Sequence, residues 1–302
     1  MSTSNAINRS GLVSVLALAL GGASCSRMPE PDLAMPSACY YDEVSDVYLV
    51  SNVHGSPTAK DDNGFILKIS PTDGTRTAWI SGDHSDVTLH APRGMAVVGE
   101  VLWVADIDML RRFDRSSGAQ LDSINIAGAT LLSDVTAAPD GTIYCSDAGL
   151  DGDLQPTGTD AIWRINREGV ATALIKTPEL GQPMGLVARA GGVYVVSWRD
   201  GAFYEIDYRG VRTDLGVAPQ NKLQGLVRVA NANSGSGKQK FAQPSWYASS
   251  WAGNAIYRFG MTGGVAAMPM RLEEAADLGY DSRRNCLVIP LSGSNRIRVE
   301  QL

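Results

Sequence analysis

Residues 93–118, "RGMAVVGEVLWVADIDMLRRFDRSSG", and residues 184–210, "MGLVARAGGVYVVSWRDGAFYEIDYRG", share one pattern. Each opens on a small-apolar start, turns, runs through β-branched and aromatic residues, turns again, and closes a third run on a Gly turn. "SDVTAAPDGTIYCSDAG" (133–149), resuming at "DAIWRINREG" (160–169), is a third copy with an acidic insert. "QGLVRVANA" with "PSWYASSWAGNAIYRFGMTGG" (224–264) is a fourth, its first turn lengthened by "NSGSGKQK". "ADLGYDSRRNCLVIPLSGSNRIRVEQL" (276–302) is a fifth, and "SACYYDEVSDVYLVSN" with "NGFILKISPTDG" (37–74) comes first in the chain.

Aligning Gly94, Asp134, Gly185, Gly225 and Asp277 gives spacings of 40, 51, 40 and 52 residues, and the copy starting near Ala38 makes six. Alternating runs of four to six residues bounded by Pro-Asp-Gly, Gly-Gly and Asp-Gly read as antiparallel strands joined by hairpins. A four-stranded unit of this length cannot bury its faces alone, whereas six packed radially about an axis can. The fold class is therefore all-β, a six-bladed β-propeller with four-stranded antiparallel blades around a central channel. A solenoid is the alternative, but no capping repeat is visible. The chain ends on "NRIRVEQL", a third strand without a fourth, so residues just before Met35 are expected to supply the missing strand.

Composition agrees. Of 302 residues, 44% are hydrophobic and 19% charged, enough to bury a core in one domain. Thirty-two glycines and fourteen prolines suit many tight turns. A formal charge of −6 and no Lys/Arg cluster argue against a nucleic-acid partner.

Residues 1–24 read as a secretory signal peptide: Arg9, the apolar run "GLVSVLALAL", then "GGASC". The run is too short to span a bilayer permanently. Cys25 resembles the lipid-modified cysteine of a bacterial lipoprotein, although Gly22 stands where that motif usually carries leucine; simple cleavage and secretion is the alternative. Residues 25–35 would form a Pro-containing leash and residues 36–302 the propeller. The expected location is extracytoplasmic, as a periplasmic-facing or outer-membrane lipoprotein held to the membrane by its anchor, or else secreted. Cys39, Cys145 and Cys286 allow at most one disulfide, and buried free thiols are the plainer reading.

The motifs "SNVHGSPTAKDDNGFILKISPTDG", "APRGMAV", "LWVADID" and "AADLGYD", in that order and spacing, resemble the senescence marker protein and gluconolactonase family of six-bladed propellers. The likeness spans about residues 35–302. It implies a lactonase-type hydrolase in which calcium or zinc, held where the innermost strands begin, activates water or polarises a lactone carbonyl. Strictosidine synthase-like and paraoxonase-like propellers are more distant in the same shape.

In this chain the six strand-start positions are Ser37, Arg93, Ser133, Met184, Gln224 and Ala276. The family's glutamate falls on Ser37, its asparagines on Ser133 and Met184, and its aspartate on Gln224. None is kept. The ring offers no carboxylate and includes a thioether and a guanidinium, so no metal cofactor is expected there. With Asp106 and Asp147 ending second strands on the same face, Asp134 and Asp277, one residue later, could hold a displaced cation. Strand alternation should instead turn them off the axis, to accept backbone hydrogen bonds.

The same mouth is expected to display Asn52, His54, Arg93, Asp106, Asp147, Trp198 and Trp251. The two indoles beside Arg93 would make a platform for an apolar or sugar-like ligand, or else pack between blades. His84 and His90 read as a solvated loop, "GLDGDLQPTGTD" as a flexible hairpin without calcium-loop spacing, and "KDDNGF" as a turn before a strand. No GxSxG elbow supports Ser-His-Asp catalysis. Two functional readings stand: a propeller binding a small molecule or protein partner at its mouth, and a lactone or ester hydrolase with a displaced metal or none.

Overall fold

The computed structural model describes residue 1 and residues 31–230, 244–260 and 264–302. The expected signal peptide and Cys25, and the "NSGSGKQK" turn, lie outside the described residues. Among those described, no helix is long and apolar enough to cross a membrane.

Six antiparallel sheets surround one axis, each sheet running outward in chain order. Blade 1 comprises Pro36–Asp42, Val47–Asn52, Phe65–Ile69 and Arg76–Ser81. Blade 2 follows with Pro92–Val98, Val101–Asp106, Met109–Asp114 and Gln120–Asn125. Blade 3 is Leu132–Ala137, Ile143–Asp147, Ala161–Ile165 and Ala171–Lys176. Blade 4 is Pro183–Arg189, Gly192–Ser197, Ala202–Asp207 and Arg212–Val217. Blade 5 is Leu223–Val229, Ser245–Ser250, Ala255–Phe259 and Val265–Ala267. Blade 6 has three strands among the described residues, Gly279–Asp281, Cys286–Leu291 and Arg296–Gln301.

Burial falls from the axis outward, as radial packing requires. The second strand of blade 3 is wholly buried, whereas the fourth strands of blades 3 and 4 alternate between half-buried and exposed. Inner strands are covered on both faces by neighbouring blades, so their sequences lose the polar alternation of a one-sided sheet. The wedges between blades are filled by large side chains. Between blades 4 and 5, Phe203 lies 4.9 Å from Phe259 and 5.6 Å from Trp246, ring centre to ring centre. Cys39, Cys145 and Cys286 are buried free thiols.

The ring closes differently from the sequence expectation. Residues 31–35 form no strand, and none of them pairs with the outer strand of blade 6. They lie against blade 1, where the Ala34 N–H donates to Asn52 Oδ1 at 3.0 Å, and meet blade 6 through the Met35 N–H on Asn295 Oδ1 at 2.7 Å and through Leu33, clustered with Val288. The innermost strands do the closing. Cys39 N–H donates to the Asp277 carbonyl at 3.3 Å and Asp277 N–H to the Ser37 carbonyl at 3.0 Å. Farther out, Tyr48 of blade 1 donates its hydroxyl to Asp281 of blade 6 at 2.9 Å, and Arg284 bridges Asp281 and Asp46. Burial first, and the Asp281 carboxylate with it, push the Tyr48 phenol well above its usual range, so it remains a donor.

Because Tyr48 is buried and its partner is a carboxylate, Tyr48→Phe should cost about 1.5–3 kcal/mol. The measurement is urea unfolding, with the loss expected at unchanged cooperativity.

Candidate functional site

Every innermost strand begins with the same irregularity. In blade 2, Pro92 pairs with Asp106 and Met95 with Val104, so three steps on one strand oppose two on the next. Blades 1, 3, 4 and 5 carry the same extra residue. Blade 6 does too, since Ala275 opposes Leu291 and Gly279 opposes Val288, four steps against three. A β-bulge puts two residues opposite one and re-aims a side chain. Two successive positions in each blade can therefore approach the axis, which simple alternation forbids.

The upper position forms the mouth. Ser37, Arg93, Met184 and Gln224 line a cavity of about 60 Å³ together with Trp198 and Trp251. Ser133 adjoins it, its hydroxyl donating to Met184 Sδ at 2.9 Å. Ala276 is fully buried and lines no part of it. The indoles of Trp198 and Trp251 meet edge to face at 5.3 Å, packed on each other and against Met184 and Leu131. They thus both pack and line the mouth.

The lower position carries Ala38, Gly94, Asp134, Gly185, Gly225 and Asp277, and here the sequence expectation is corrected. Asp134 and Asp277 are not turned off the axis. Blades 3 and 6 are diametrically opposite, yet the two carboxyl groups hydrogen-bond to each other. A proton held between the two carboxyl groups makes that contact favourable. Both also accept from backbone, as expected: Asp134 from Val135 N–H at 2.7 Å and from Leu186 N–H at 2.6 Å, Asp277 from Leu278 and Leu226. The glycines make room for them. A Cβ on Gly94 would stand 2.1 Å from Asp134 Oδ1, and one on Gly225 2.7 Å from Asp277 Oδ1. Burial pushes the Asp134 carboxyl up to about 7; burial, then the Asp134 charge, raise Asp277 well above the carboxylate range. Beneath the pair the channel widens to a cavity of about 330 Å³ on the opposite face.

Further expectations are corrected. Asn52, Asp106 and Asp147 do not face the mouth. Each ends a second strand, is fully buried, and holds the segment that leads into its blade. Asp106 accepts from His90 N–H at 3.1 Å, Ala91 N–H at 2.7 Å and Arg111 Nε at 2.8 Å. Asp147 accepts from Leu131 and Gly149 N–H, both at 3.1 Å, and Asn52 from Ala34 N–H. A short acceptor at that point satisfies backbone donors that no ladder reaches. His54 is exposed nearby without lining the cavity, and His84 is exposed. His90, expected in a solvated loop, is buried, its Nδ1 accepting from Asp62 N–H at 3.1 Å.

Sequence reasoning missed the roof. The acidic insert of blade 3 forms a hairpin with Leu150 opposite Pro156, its turn held by Asp151 Oδ1, and it places Leu154 in the cavity wall. The loop after blade 1's second strand adds Val53 and Pro57. The two loops meet, since a Cβ on Gly152 would stand 2.6 Å from Thr58 Oγ1. Leu150 and Leu154, the two large apolar residues in an otherwise polar insert, were the available signal.

Unpaired polar groups mark the mouth. Arg93 is 7% exposed, and its guanidinium makes no hydrogen bond or ion pair with any described residue. Burial pulls its pKa down to about 10, so it stays charged at neutral pH. Gln224 Oε1 and Trp251 Nε1 are also buried without partners. Buried polar groups are ordinarily satisfied by protein or by ordered water, so three left unpaired around one cavity have capacity for a ligand or water held there.

These donors do not fit a calcium or zinc ion. The mouth offers three serine hydroxyls, that of Ser133 given to a thioether and that of Ser292 to the Pro36 carbonyl, one amide oxygen, and a fixed cation. The carboxylates below are tied to each other and to four backbone N–H groups. Among the described residues no group of three or more His, Cys, Asp or Glu is placed to hold a metal.

No family model matches the chain. No curated protein matches it. Solved structures do. A putative gluconolactonase is 19% identical over 89% of this chain and 90% of its own, with a TM-score of 0.65. A gluconolactonase from Xanthomonas campestris is 16% identical over 85% and 83%, at 0.63. Regucalcin from Agrobacterium tumefaciens, a calcium-binding protein, is 14% identical over 87% and 83%, at 0.60. At these identities the likeness establishes the shape: a gluconolactonase-like and regucalcin-like six-bladed propeller.

The carboxyl pair predicts a pH dependence. Both groups are near their ordinary values when unfolded and raised when folded, so the folded state binds more protons and its stability falls as pH rises from about 4 through 7. Asp277→Asn should flatten that decline, read as the urea midpoint against pH. Gly94→Ala should cost about 1–3 kcal/mol, because the new methyl meets a carboxylate held by two backbone donors.

Proposed function

We propose that this chain is an exported, lipid-anchored propeller that holds a small molecule at its central mouth through fixed side chains rather than through a divalent metal. The observation that carries this reading is a small, largely apolar cavity in which Arg93, Gln224 and Trp251 keep buried polar groups unpaired. Small-molecule sites have this composition: apolar and aromatic walls with a few polar groups that set orientation. The Trp198–Trp251 pair and Met184 supply the walls, and Leu154 and Pro57 limit the opening.

A second reading is favoured by two of the similar structures, a gluconolactonase and a putative one. On that reading the chain hydrolyses a lactone or ester with a displaced metal or none, and the site nearest to a displaced metal is the pair Asp134 and Asp277. Against it stand the internal hydrogen bond of that pair and its four backbone donors.

Metal analysis of the purified, folded protein separates the two. A metal bound to the folded state alone, at a hundred times its dissociation constant, stabilises by about 2.7 kcal/mol. We expect no stoichiometric calcium or zinc, an unfolding midpoint indifferent to chelator, and no chelator-sensitive lactone hydrolysis. A stoichiometric metal whose removal lowers the midpoint and abolishes hydrolysis would establish the second reading.

A further inference from the structure

Arg93 narrows the chemistry of what the mouth takes. Its guanidinium is more than nine-tenths buried, lines the cavity, and has no carboxylate within ion-pair distance among the described residues. The other buried arginine among the described residues, Arg111 on the third strand of blade 2, is paired with Asp106 at 2.8 Å. Burying a charge without a partner is strongly unfavourable, and the groups that relieve it are anionic. A planar guanidinium matches a carboxylate in two parallel hydrogen bonds. Lys222, at the rim with its Nζ 5.4 Å from the Trp198 ring centre, adds a second positive charge on the approach. The walls limit the rest of the ligand. Met184, Leu131, Leu154 and the two indoles accept carbon, and about 60 Å³ admits only a few heavy atoms.

We propose that the mouth is a binding site for a small organic monocarboxylate. Its carboxylate pairs with Arg93 and its short carbon skeleton lies against Met184 and the Trp198–Trp251 pair. A hydroxyl on that skeleton would donate to the unpaired Gln224 Oε1. One buried cation selects a monoanion over phosphate, which would bring a second charge into a cavity with no second buried cation. This inference rests on the reading of the mouth as a ligand site, and goes beyond it in fixing the ligand's charge and size.

The test titrates the full chain with propionate, lactate, propionamide, lactamide, inorganic phosphate and a neutral lactone, following tryptophan fluorescence and calorimetry. We expect propionate and lactate to bind at one site, lactate more tightly, with each amide at least about tenfold weaker and phosphate weaker than either acid. Arg93→Gln should weaken the acids by at least about thirtyfold and the amides by several times less, since only the acids lose a charge pair. Arg93→Lys should fall between, since an ammonium keeps the charge and loses the two-point geometry. If Arg93→Gln does not fold, the Lys variant and Gln224→Leu, which should remove the lactate advantage alone, carry the comparison.

Amides binding as well as acids, acids indifferent to Arg93, phosphate binding in preference to carboxylates, or no acid binding at all would each overturn the proposal. Neutral lactone binding at the tryptophans without dependence on Arg93 would overturn it while leaving the ligand-binding reading intact. A stoichiometric metal in the same preparation would instead remove that reading.

Discussion

A hydrogen bond across the axis, between the carboxyl groups of Asp277 and Asp134, ties opposite sides of the ring together. Each acid also caps a backbone N–H of the neighbouring blade, Leu186 or Leu226, so blades 3 to 6 are joined at the hub by two side chains. The arrangement is possible only because four of the six positions at that level are Gly or Ala. Small residues in four blades clear the volume that two carboxyl groups occupy. Two unit charges so close in a buried place would repel strongly, and one retained proton turns that repulsion into attraction.

The same local device, one extra residue at the start of each innermost strand, separates the roles of two adjacent positions. The lower one builds the hub, and the upper one is free to line the mouth. Serines on the second strands of blades 3 and 5 stabilise the irregularity: Ser146 accepts from Asp134 N–H and donates to the Met184 carbonyl, while Ser249 accepts from Gly225 N–H and donates to the Ala276 carbonyl. The bulge is thus satisfied from within its own blade and from the next. Function at the mouth and cohesion at the hub can then vary independently, although the residues concerned are sequence neighbours.

At the mouth the balance of charge is set by what is missing around Arg93 rather than by what it touches. Asp106 and Asp147, which by position might have neutralised it, are committed to backbone donors below the rim. The buried cation faces an apolar, indole-walled space roofed by loops from blades 1 and 3. A hard cation and this guanidinium would compete for the same place, so the donor set and the charge both separate this mouth from the metal centre that the resemblance implies.

The repeat of strand patterns, with Gly or Asp returning at Gly94, Asp134, Gly185, Gly225 and Asp277, was sufficient for the six-bladed architecture, because turn chemistry and buried β-branched runs are local properties. Four mouth residues, Ser37, Arg93, Met184 and Gln224, were legible from strand phase, as were the two tryptophans. Asn52, Asp106 and Asp147 were misplaced, because whether a polar residue at a strand end meets solvent or backbone depends on the loop that passes beneath it. Asp134 and Asp277 were misdirected, because a bulge adds one residue to one strand relative to another and leaves no mark within either. Ring closure by innermost strands, the roof over the mouth and the proton shared across the axis are relations between segments up to about 240 residues apart in the chain. Such relations exist only once packing has set the distances.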